Sequence, residues 1–183
     1  SHNLSPAATI AKYIKDTTPG AKIVFIGPCT AKKMEFQKEG LKDIIDSTIT
    51  FEELQALFDS RDIDLKSLEE GVLDNASYYG RIFARSGGLS DAVAEGLKER
   101  GIDFDLQAVP CDGIEACRAA LLKASKNVLK GNFIEGMACV GGCIGGAGCL
   151  THGEKNKADV DKYGMEAYEK SIEQAISLVK PKE

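Results

Sequence analysis

The sequence lacks three features that would assign it to common classes of protein. Its 183 residues carry a formal net charge of −5 at pH 7, without the basic excess typical of nucleic-acid-binding domains. No apolar run approaches the ~18 residues that a membrane-spanning helix needs, and the N-terminus has no signal-peptide pattern. These absences argue against nucleic acid as a partner and against a membrane span, and they favour a cytoplasmic protein.

The cysteines also lack the setting of a disulfide scaffold, because the chain is larger than the small secreted domains that depend on such bonds. Most of them follow predicted strands or lie in glycine-rich loops. The six are Cys29, Cys111, Cys117, Cys139, Cys143 and Cys149. This placement favours metal binding in a reducing compartment.

One glycine-rich segment combines two of these cysteines. Residues 133–138 form an apolar run that predicts a strand, and Cys139 and Cys143 follow it, with five glycines among residues 141–148. Thiolates are soft ligands for zinc or iron–sulfur centres, and glycine lets backbone N–H groups approach an inorganic core. The segment therefore predicts a cluster-binding loop, with ordinary buried cysteines as the alternative.

Strands and helices alternate along the chain. The predicted strands cover residues 22–26, 44–50, 105–109 and 133–138, the third closed by Pro110, and the predicted helices include residues 6–15, 30–38, 89–100 and 156–180. Capping boxes, Thr50 with Glu53 and Asp112 with Glu115, predict two more helices, the second ending near Lys126. Residues 60–86 are predicted to be irregular. The pattern predicts a single α/β lobe over residues 1–183, with a mainly parallel four-stranded sheet flanked by helices.

A second cysteine lies between the first strand and its helix, in Gly27-Pro28-Cys29-Thr30-Ala31-Lys32-Lys33-Met34-Glu35. Helix N–H groups and Lys32 would favour the thiolate. Lys32 and Glu35 lie on one helical face and could pair, although a solvated ion pair would look the same. Cys29, Cys139 and Cys143 make three thiolates. A cubane cluster needs four, and Cys111, Cys117 and Cys149 all stay open as the fourth.

Four motifs together resemble the C-terminal catalytic domain of the iron-only (FeFe) hydrogenase large subunit. They are Pro28-Cys29-Thr30-Ala31-Lys32-Lys33-x-Glu35, Asp46-Ser-Thr-Ile-Thr-Phe-Glu-Glu-Leu54, Arg81-Ile-Phe-Ala-Arg-Ser-Gly-Gly-Leu89 and Glu135-x-Met137-x-Cys139-x-Gly141-Gly142-Cys143-x-x-Gly146. The similarity covers nearly all of residues 4–150, in the order that the family shows. The resemblance implies one lobe of the family's two-lobed H-cluster domain.

The resemblance also implies a cofactor and residue roles. In that family a 4Fe-4S cluster is bridged through a cysteine sulfur to a di-iron unit that carries carbon monoxide and cyanide. Cys29, Cys139 and Cys143 would be three of the four metal ligands, with Cys143 bridging. Lys32, beside Glu35, would bond a cyanide. Further residues would line or position the di-iron unit: Phe83, Ser86, Gly87, Gly88, Leu89, Met137, Gly141 and Gly142.

The implied reaction is reversible reduction of protons to hydrogen, with a ferredoxin-type electron donor and maturation proteins as partners. The family's Thr-Ser-Cys-Cys-Pro signature is absent from this sequence. It would lie in an upstream lobe and supply the fourth ligand, so a fragment without it is expected to be inactive and apo or partly loaded. Ser1-His2-Asn3 resembles a cloning remnant, in keeping with a fragment.

Two alternatives share the fold. Gly27 stands where catalytic members usually have methionine, Ala147-Gly148-Cys149 replaces a Gly-Gly-Gln ending, and Cys111-Asp112-Gly113 follows the third strand. These features resemble hydrogen- or redox-sensing hydrogenases in signalling proteins. Iron–sulfur assembly paralogues also resemble the fold, but they would lack the lysine that is present at position 32.

Overall fold

A computed structural model describes residues 3–72 and 76–177. All four predicted strands form, as β1 (Val24–Ile26), β2 (Ser47–Ile49), β3 (Ala108–Asp112) and β4 (Phe133–Met137). In this part of the chain, β1 pairs in parallel with β2 and β3 with β4. The parallel α/β architecture is confirmed, but the strands form two two-stranded sheets where one four-stranded sheet was predicted. Alternation of strands and helices predicts parallel pairing without fixing which pairs share a sheet.

The first unit comprises Ser1–Leu68 with Gly146–Leu150. Helix α1 (Pro6–Thr17) precedes β1, α2 (Thr30–Glu35) crosses to β2, and α3 (Phe51–Asp59) and a 3-10 turn (Leu65–Ser67) follow. The Thr50–Glu53 capping box is present, with both reciprocal hydrogen bonds. The buried core of the unit consists of Ala8, Ala11, Phe36 and Ile45. Phe25 packs on this core, its ring centroid 5.5 Å from that of Phe36.

The second unit comprises Glu69–Gly145 with Thr151–Glu183. Its helices are α4 (Tyr78–Ile82), α5 (Gly88–Glu99), α6 (Ile114–Ser125), α7 (Lys155–Met165) and α8 (Ile172–Ser177), and a 3-10 turn covers Cys143–Gly145. The crossover α6 connects β3 to β4, whose register places Cys111 beside Gly136 and Asp112 beside Met137. The carboxyl ends of these two strands therefore lie together. The prediction that residues 1–183 make one lobe stays a prediction.

Three local predictions are wrong. β3 runs through Pro110, which can lie in a two-stranded sheet because each strand has an unpaired edge. Asp112 does not cap α6; Gly113, at φ 84°, occupies the cap position. The terminal helix is broken between α7 and α8, because the intervening chain turns so that the Glu169 carbonyl accepts a hydrogen bond from the Tyr78 N–H, 3.1 Å away.

The segment predicted to be irregular holds α4 as well as the 3-10 turn of the first unit. Three parts of these predictions lie outside the described residues: 73–75 of that irregular segment, 178–180 of the predicted terminal helix and 1–2 of the predicted cloning remnant. Among the helices of residues 3–72 and 76–177, none combines the length and the apolar character needed to cross a membrane.

Candidate metal centre

The two cysteines after β4 lie in a tight turn of residues 139–145. The Gly142 N–H donates to the Cys139 carbonyl at 3.1 Å, and the Gly145 N–H donates to the Gly142 carbonyl at 3.0 Å. Gly141 and Gly142 both have left-handed backbone, with φ of 82° and 89°. Because side chains other than glycine are strained there, the glycines allow the chain to turn between the two thiols.

This cysteine turn, residues 139–145, packs against the segment 84–86 that leads into α5. The Ser86 N–H donates to the Gly141 carbonyl at 2.9 Å, and the Ile144 N–H donates to the Ala84 carbonyl at 3.3 Å. A Cβ atom added to Gly142 would lie 2.6 Å from the Ser86 nitrogen. The two family motifs thus meet backbone to backbone, with no room for a side chain at this position.

The end of the sheet holds the cysteine turn from the other side. The Asp112 carboxylate accepts a hydrogen bond from the Gly141 N–H at 2.9 Å. The Gly113 N–H donates to the Met137 carbonyl, also at 2.9 Å. The Cys143 sulfur lies 3.9 Å from the Met137 sulfur. Met137 and Cys143, which the sequence placed in one site, are therefore neighbours.

Glu135 fixes the turn that the family motif Ser86-Gly87-Gly88 makes at the start of α5. Its side chain is fully buried in the middle of β4. One carboxylate oxygen accepts from the Gly87 N–H at 2.9 Å. The other accepts from the Ser90 N–H at 2.9 Å and from the Ser90 hydroxyl at 2.5 Å. The Glu135 carboxylate thus accepts the N–H bonds that an N-cap side chain would otherwise accept at the start of α5, since the N-cap residue, Gly87, has no side chain.

The same turn also depends on Gly88 and Arg85. A Cβ on Gly88 would lie 2.1 Å from the Ile82 carbonyl oxygen. Arg85 is 9% exposed, and its guanidinium pairs with Asp91 at 2.9 Å and with Asp161 at 2.5 Å. Burial disfavours its charge, but the two carboxylates outweigh burial and raise the pKa of Arg85 above its usual value. The turn is held by charge as well as by close packing.

In the first unit, Cys29 is the N-cap of α2 and is half-buried. Lys32 donates to Glu35 at 2.5 Å, as the spacing predicted, and its Nζ lies 5.6 Å from the Phe36 ring centroid. The Ser5 hydroxyl donates to the second oxygen of Glu35 at 2.6 Å. Burial acts to raise the pKa of Glu35, but the hydrogen bonds from Lys32 and Ser5 outweigh it, so the pKa lies below its usual value.

The remaining cysteines occupy packed positions. Cys111 is 7% exposed, and burial raises the pKa of its thiol. The Cys117 thiol donates to the carbonyls of Cys111 and Met137, each at 3.4 Å. Cys149 is buried beside Gly148, whose N–H donates to the Pro28 carbonyl at 3.0 Å. A Cβ on Gly148 would lie 2.6 Å from that of Thr50, so the backbone of Gly148 lies close against the Thr50 side chain.

The structure thus places the predicted site residues in two groups, one in each unit. In the first unit, Cys29 opens α2 and Lys32 pairs with Glu35. The second unit brings the cysteine turn together with the turn of residues 86–88, while Phe83 and Leu89 lie half-buried beside that second turn. Ser5, Asp112 and Glu135 also hold these groups, and the sequence analysis did not include any of the three among the candidate site residues. A glutamate inside an apolar strand was a usable signal, because charged residues are rarely buried without partners.

The donor chemistry fits an iron–sulfur group, since all six cysteines are present as thiols and two lie on a glycine turn. Within residues 3–72 and 76–177, no three His, Cys, Asp or Glu side chains are grouped closely enough to hold a metal ion. The assignment of Cys29, Cys139 and Cys143 as ligands stays a prediction.

Comparison with known proteins points to one family. Iron hydrogenase 1 of Clostridium pasteurianum is 28% identical over 184 positions, which cover 81% of this chain and 31% of that protein. The periplasmic Fe hydrogenase large subunit of Nitratidesulfovibrio vulgaris is 29% identical, over 68% of this chain and 38% of that protein. The chain therefore spans well under half the length of either relative.

Solved structures agree on the fold. An FeFe-hydrogenase studied for oxygen inactivation through its H cluster matches at a TM-score of 0.70 and 20% identity, over 98% of this chain and 63% of that chain. The apo FeFe-hydrogenase from Chlamydomonas reinhardtii matches at a TM-score of 0.56 and 19% identity, over 90% of this chain and 58% of that chain. The predicted α/β fold of the H-cluster domain is confirmed.

The sequence profile of the iron only hydrogenase large subunit, C-terminal domain, matches residues 1–147. This range includes the motif around Cys29, the turn before α5 and the cysteine turn after β4. The chain belongs to the family of the iron only hydrogenase large subunit, C-terminal domain.

Proposed function

We propose that this chain is the part of an FeFe-hydrogenase that holds an H-cluster for reversible reduction of protons to hydrogen. The observation that carries the proposal is the docking of the cysteine turn on segment 84–86, within a match to the hydrogenase family. The docking orders the turn that carries Cys139 and Cys143, and the Cys143 sulfur lies 3.9 Å from that of Met137. A turn that served only as a connection would not need this close approach at Gly142.

Cys29, Cys139 and Cys143 are the proposed ligands of a 4Fe-4S cluster, with Cys143 also bridging to a di-iron unit. Thiolates at these positions would supply the soft donors that such a cluster requires. When bound, the group supplies the redox chemistry of hydrogen. The chain contributes its three ligands, and an upstream lobe with the Thr-Ser-Cys-Cys-Pro motif is proposed to contribute the fourth.

The other proposed residues bind and orient the di-iron unit. Lys32 holds a positive charge at Nζ, and its bond to a cyanide would be charge-assisted and therefore stronger than a neutral hydrogen bond. Glu35 keeps that ammonium group in place. Phe83, Leu89 and Met137 give an apolar lining that limits water, and the turn of residues 86–88, fixed by Glu135, sets the position of its backbone groups.

The whole protein would need further partners. We propose a ferredoxin-type electron donor and maturation proteins that install the di-iron unit. A cytoplasmic location follows from the reducing conditions that six thiols favour. The relative from Nitratidesulfovibrio vulgaris is named as periplasmic, so location can differ between members of the family.

The test is hydrogen-dependent dye reduction by the longer parent protein, matured anaerobically, with iron counted in the same sample. We expect reduction together with full iron loading, and we expect Cys143→Ala to remove the di-iron signal from the infrared spectrum. Cys117→Ala is the matched control and should leave the signal in place, because that thiol donates to the backbone carbonyls of Cys111 and Met137. An unchanged di-iron signal in Cys143→Ala would reject the bridging assignment.

A hydrogen- or redox-sensing role is the second candidate, and Gly27 favours it. A Cβ at this position would lie 2.9 Å from the edge of the Phe25 ring. The ring therefore occupies the space that a larger side chain at position 27 would need. Full iron loading with little or no dye reduction would support the sensing role, whereas fast reduction would show that glycine is compatible with catalysis.

A further inference from the structure

Ser5 links the first helix of the chain to the Lys32–Glu35 pair. Its side chain accepts a hydrogen bond from the Ala8 N–H at 3.3 Å, as the N-cap of α1, and its hydroxyl donates to Glu35 Oε1 at 2.6 Å. Glu35 Oε2 accepts from Lys32 Nζ at 2.5 Å. One hydroxyl thus serves two partners, and each oxygen of the carboxylate has its own donor.

The helix that carries Lys32 and Glu35 cannot fix this geometry alone. It has six residues, and Glu35 is the last of them. Helices of this length are marginal in water, and a glutamate at the last turn has several rotamers. The Ser5 hydroxyl removes that freedom, because a bond to Oε1 from a different helix leaves Oε2 directed toward Lys32.

The surroundings make this restraint effective. The side chains of Lys32 and Glu35 are 22% and 25% exposed, so water competes for them only in part. Phe36 beneath Lys32 is 4% exposed and lies in the core of the first unit. The N-terminus of α1, a helix of 12 residues, also favours a carboxylate close to its first turn.

We propose that Ser5 is a positioning residue for Lys32, acting through Glu35. This inference rests on the proposed function, in which Lys32 binds the di-iron unit. Ser5 aims the ammonium group by holding the carboxylate that pairs with it. Its role as a helix cap is separate, because capping uses the oxygen as an acceptor and positioning uses the O–H as a donor.

Three substitutions separate the two roles. Ser5→Thr keeps both the acceptor and the donor. Ser5→Asp keeps a good N-cap, but an ionised carboxylate has no proton to donate and repels Glu35. Ser5→Ala removes both functions.

The experiment is side-chain NMR of lysine ammonium groups in the 183-residue chain, labelled with nitrogen-15, at low temperature and mildly acidic pH. The Lys32 signal is assigned with Lys32→Arg. We expect an ordered, slowly exchanging Lys32 signal in the wild type and in Ser5→Thr. The signal should be lost in Ser5→Ala and Ser5→Asp, with circular dichroism showing that the helices of Ser5→Asp are intact.

An ordered Lys32 signal in Ser5→Asp would overturn the proposal, because capping alone would then explain the role of Ser5. Loss of the signal in Ser5→Thr would also overturn it, because that variant keeps the hydroxyl donor on which the proposal depends. The signal is read without any cluster. A parent protein that fails to reduce dye with hydrogen would therefore reject the proposed function while leaving the Ser5 result as measured.

Discussion

At the scale of the residue, the candidate site depends on one buried carboxylate and on a pair of half-buried charged groups. Glu135 lies among apolar neighbours in β4, and its three donors are the Gly87 N–H and, in the first turn of α5, the N–H and hydroxyl of Ser90. Lys32 and Glu35 lie nearer the surface and depend on each other. The sequence predicted the second arrangement from helical spacing. It could not predict the first, because the donors lie 45 and 48 residues away along the chain.

Glu135→Gln should destabilise the chain by about 1–3 kcal/mol, the usual cost of leaving a buried hydrogen-bonding group without its partner. The amide can keep one oxygen toward Ser90, but its NH2 group then faces the Gly87 N–H. Urea unfolding followed by circular dichroism measures the change.

Glu166→Gln is the matched control, since this glutamate is exposed beyond the end of α7. Its unfolding free energy should stay within about 0.5 kcal/mol of the wild type. Equal effects of the two substitutions would show that Glu135 is not a special support for the turn.

At the scale of the element, two turns that are more than 50 residues apart meet through their backbones. Residues 84–86 and the cysteine turn exchange hydrogen bonds, and Arg85 and Gly142 form an isolated antiparallel bridge. Each turn was visible in the sequence as a glycine-rich motif. The docking of the two turns was not visible, because a glycine indicates only that the backbone can adopt unusual conformations. It does not indicate which segment packs against it.

Gly142→Ala should separate these two turns. The new Cβ would lie 2.6 Å from the Ser86 nitrogen, and the residue would be held at a φ of 89°. Together these effects should destabilise the chain by about 2 kcal/mol or more. Hydrogen exchange at the Ser86 N–H should also become faster, because that N–H donates to Gly141.

Gly71→Ala serves as the control for this substitution, since a Cβ there meets no atom of the described residues within 4 Å. Its unfolding free energy should change by less than about 0.5 kcal/mol. Unchanged exchange at Ser86 in Gly142→Ala would contradict the docking of the two turns.

Long-range contacts also explain why the predicted terminal helix is broken into α7 and α8. The periodicity of residues 156–180 predicted one helix, yet α7 ends at Met165. Gly164 lies so close to α4 that a Cβ would be 2.6 Å from the Ile82 side chain. The contact of α7 with α4 and the bond from Tyr78 to Glu169 favour a break that periodicity alone cannot detect.

At the scale of the whole molecule, the proposed cluster needs more cysteine ligands than the number assigned to it in this chain. Three cysteines are assigned to a cluster that needs four. We expect the isolated 183-residue chain, reconstituted with iron and sulfide, to bind less iron than one four-iron cluster per chain. Iron and sulfide assays measure this directly.

Cys29→Ser should lower that iron content further, whereas Cys117→Ser should leave it unchanged, because Cys117 has backbone carbonyls as its partners. A full cluster in the unmodified chain would contradict the expectation and would point to a fourth ligand among Cys111, Cys117 and Cys149.

Local sequence patterns were sufficient to predict the four strands, their parallel α/β class, the cap at Thr50, the Lys32–Glu35 pair and the hydrogenase family. These depend on local patterns, where spacing within a few residues fixes the outcome. Four features required the three-dimensional structure: the pairing of the strands into two sheets, the hydrogen bond of Asp112 to Gly141, those of Glu135 to Gly87 and Ser90, and that of Ser5 to Glu35. Each of these joins groups far apart along the chain, and their partners are selected by packing in three dimensions.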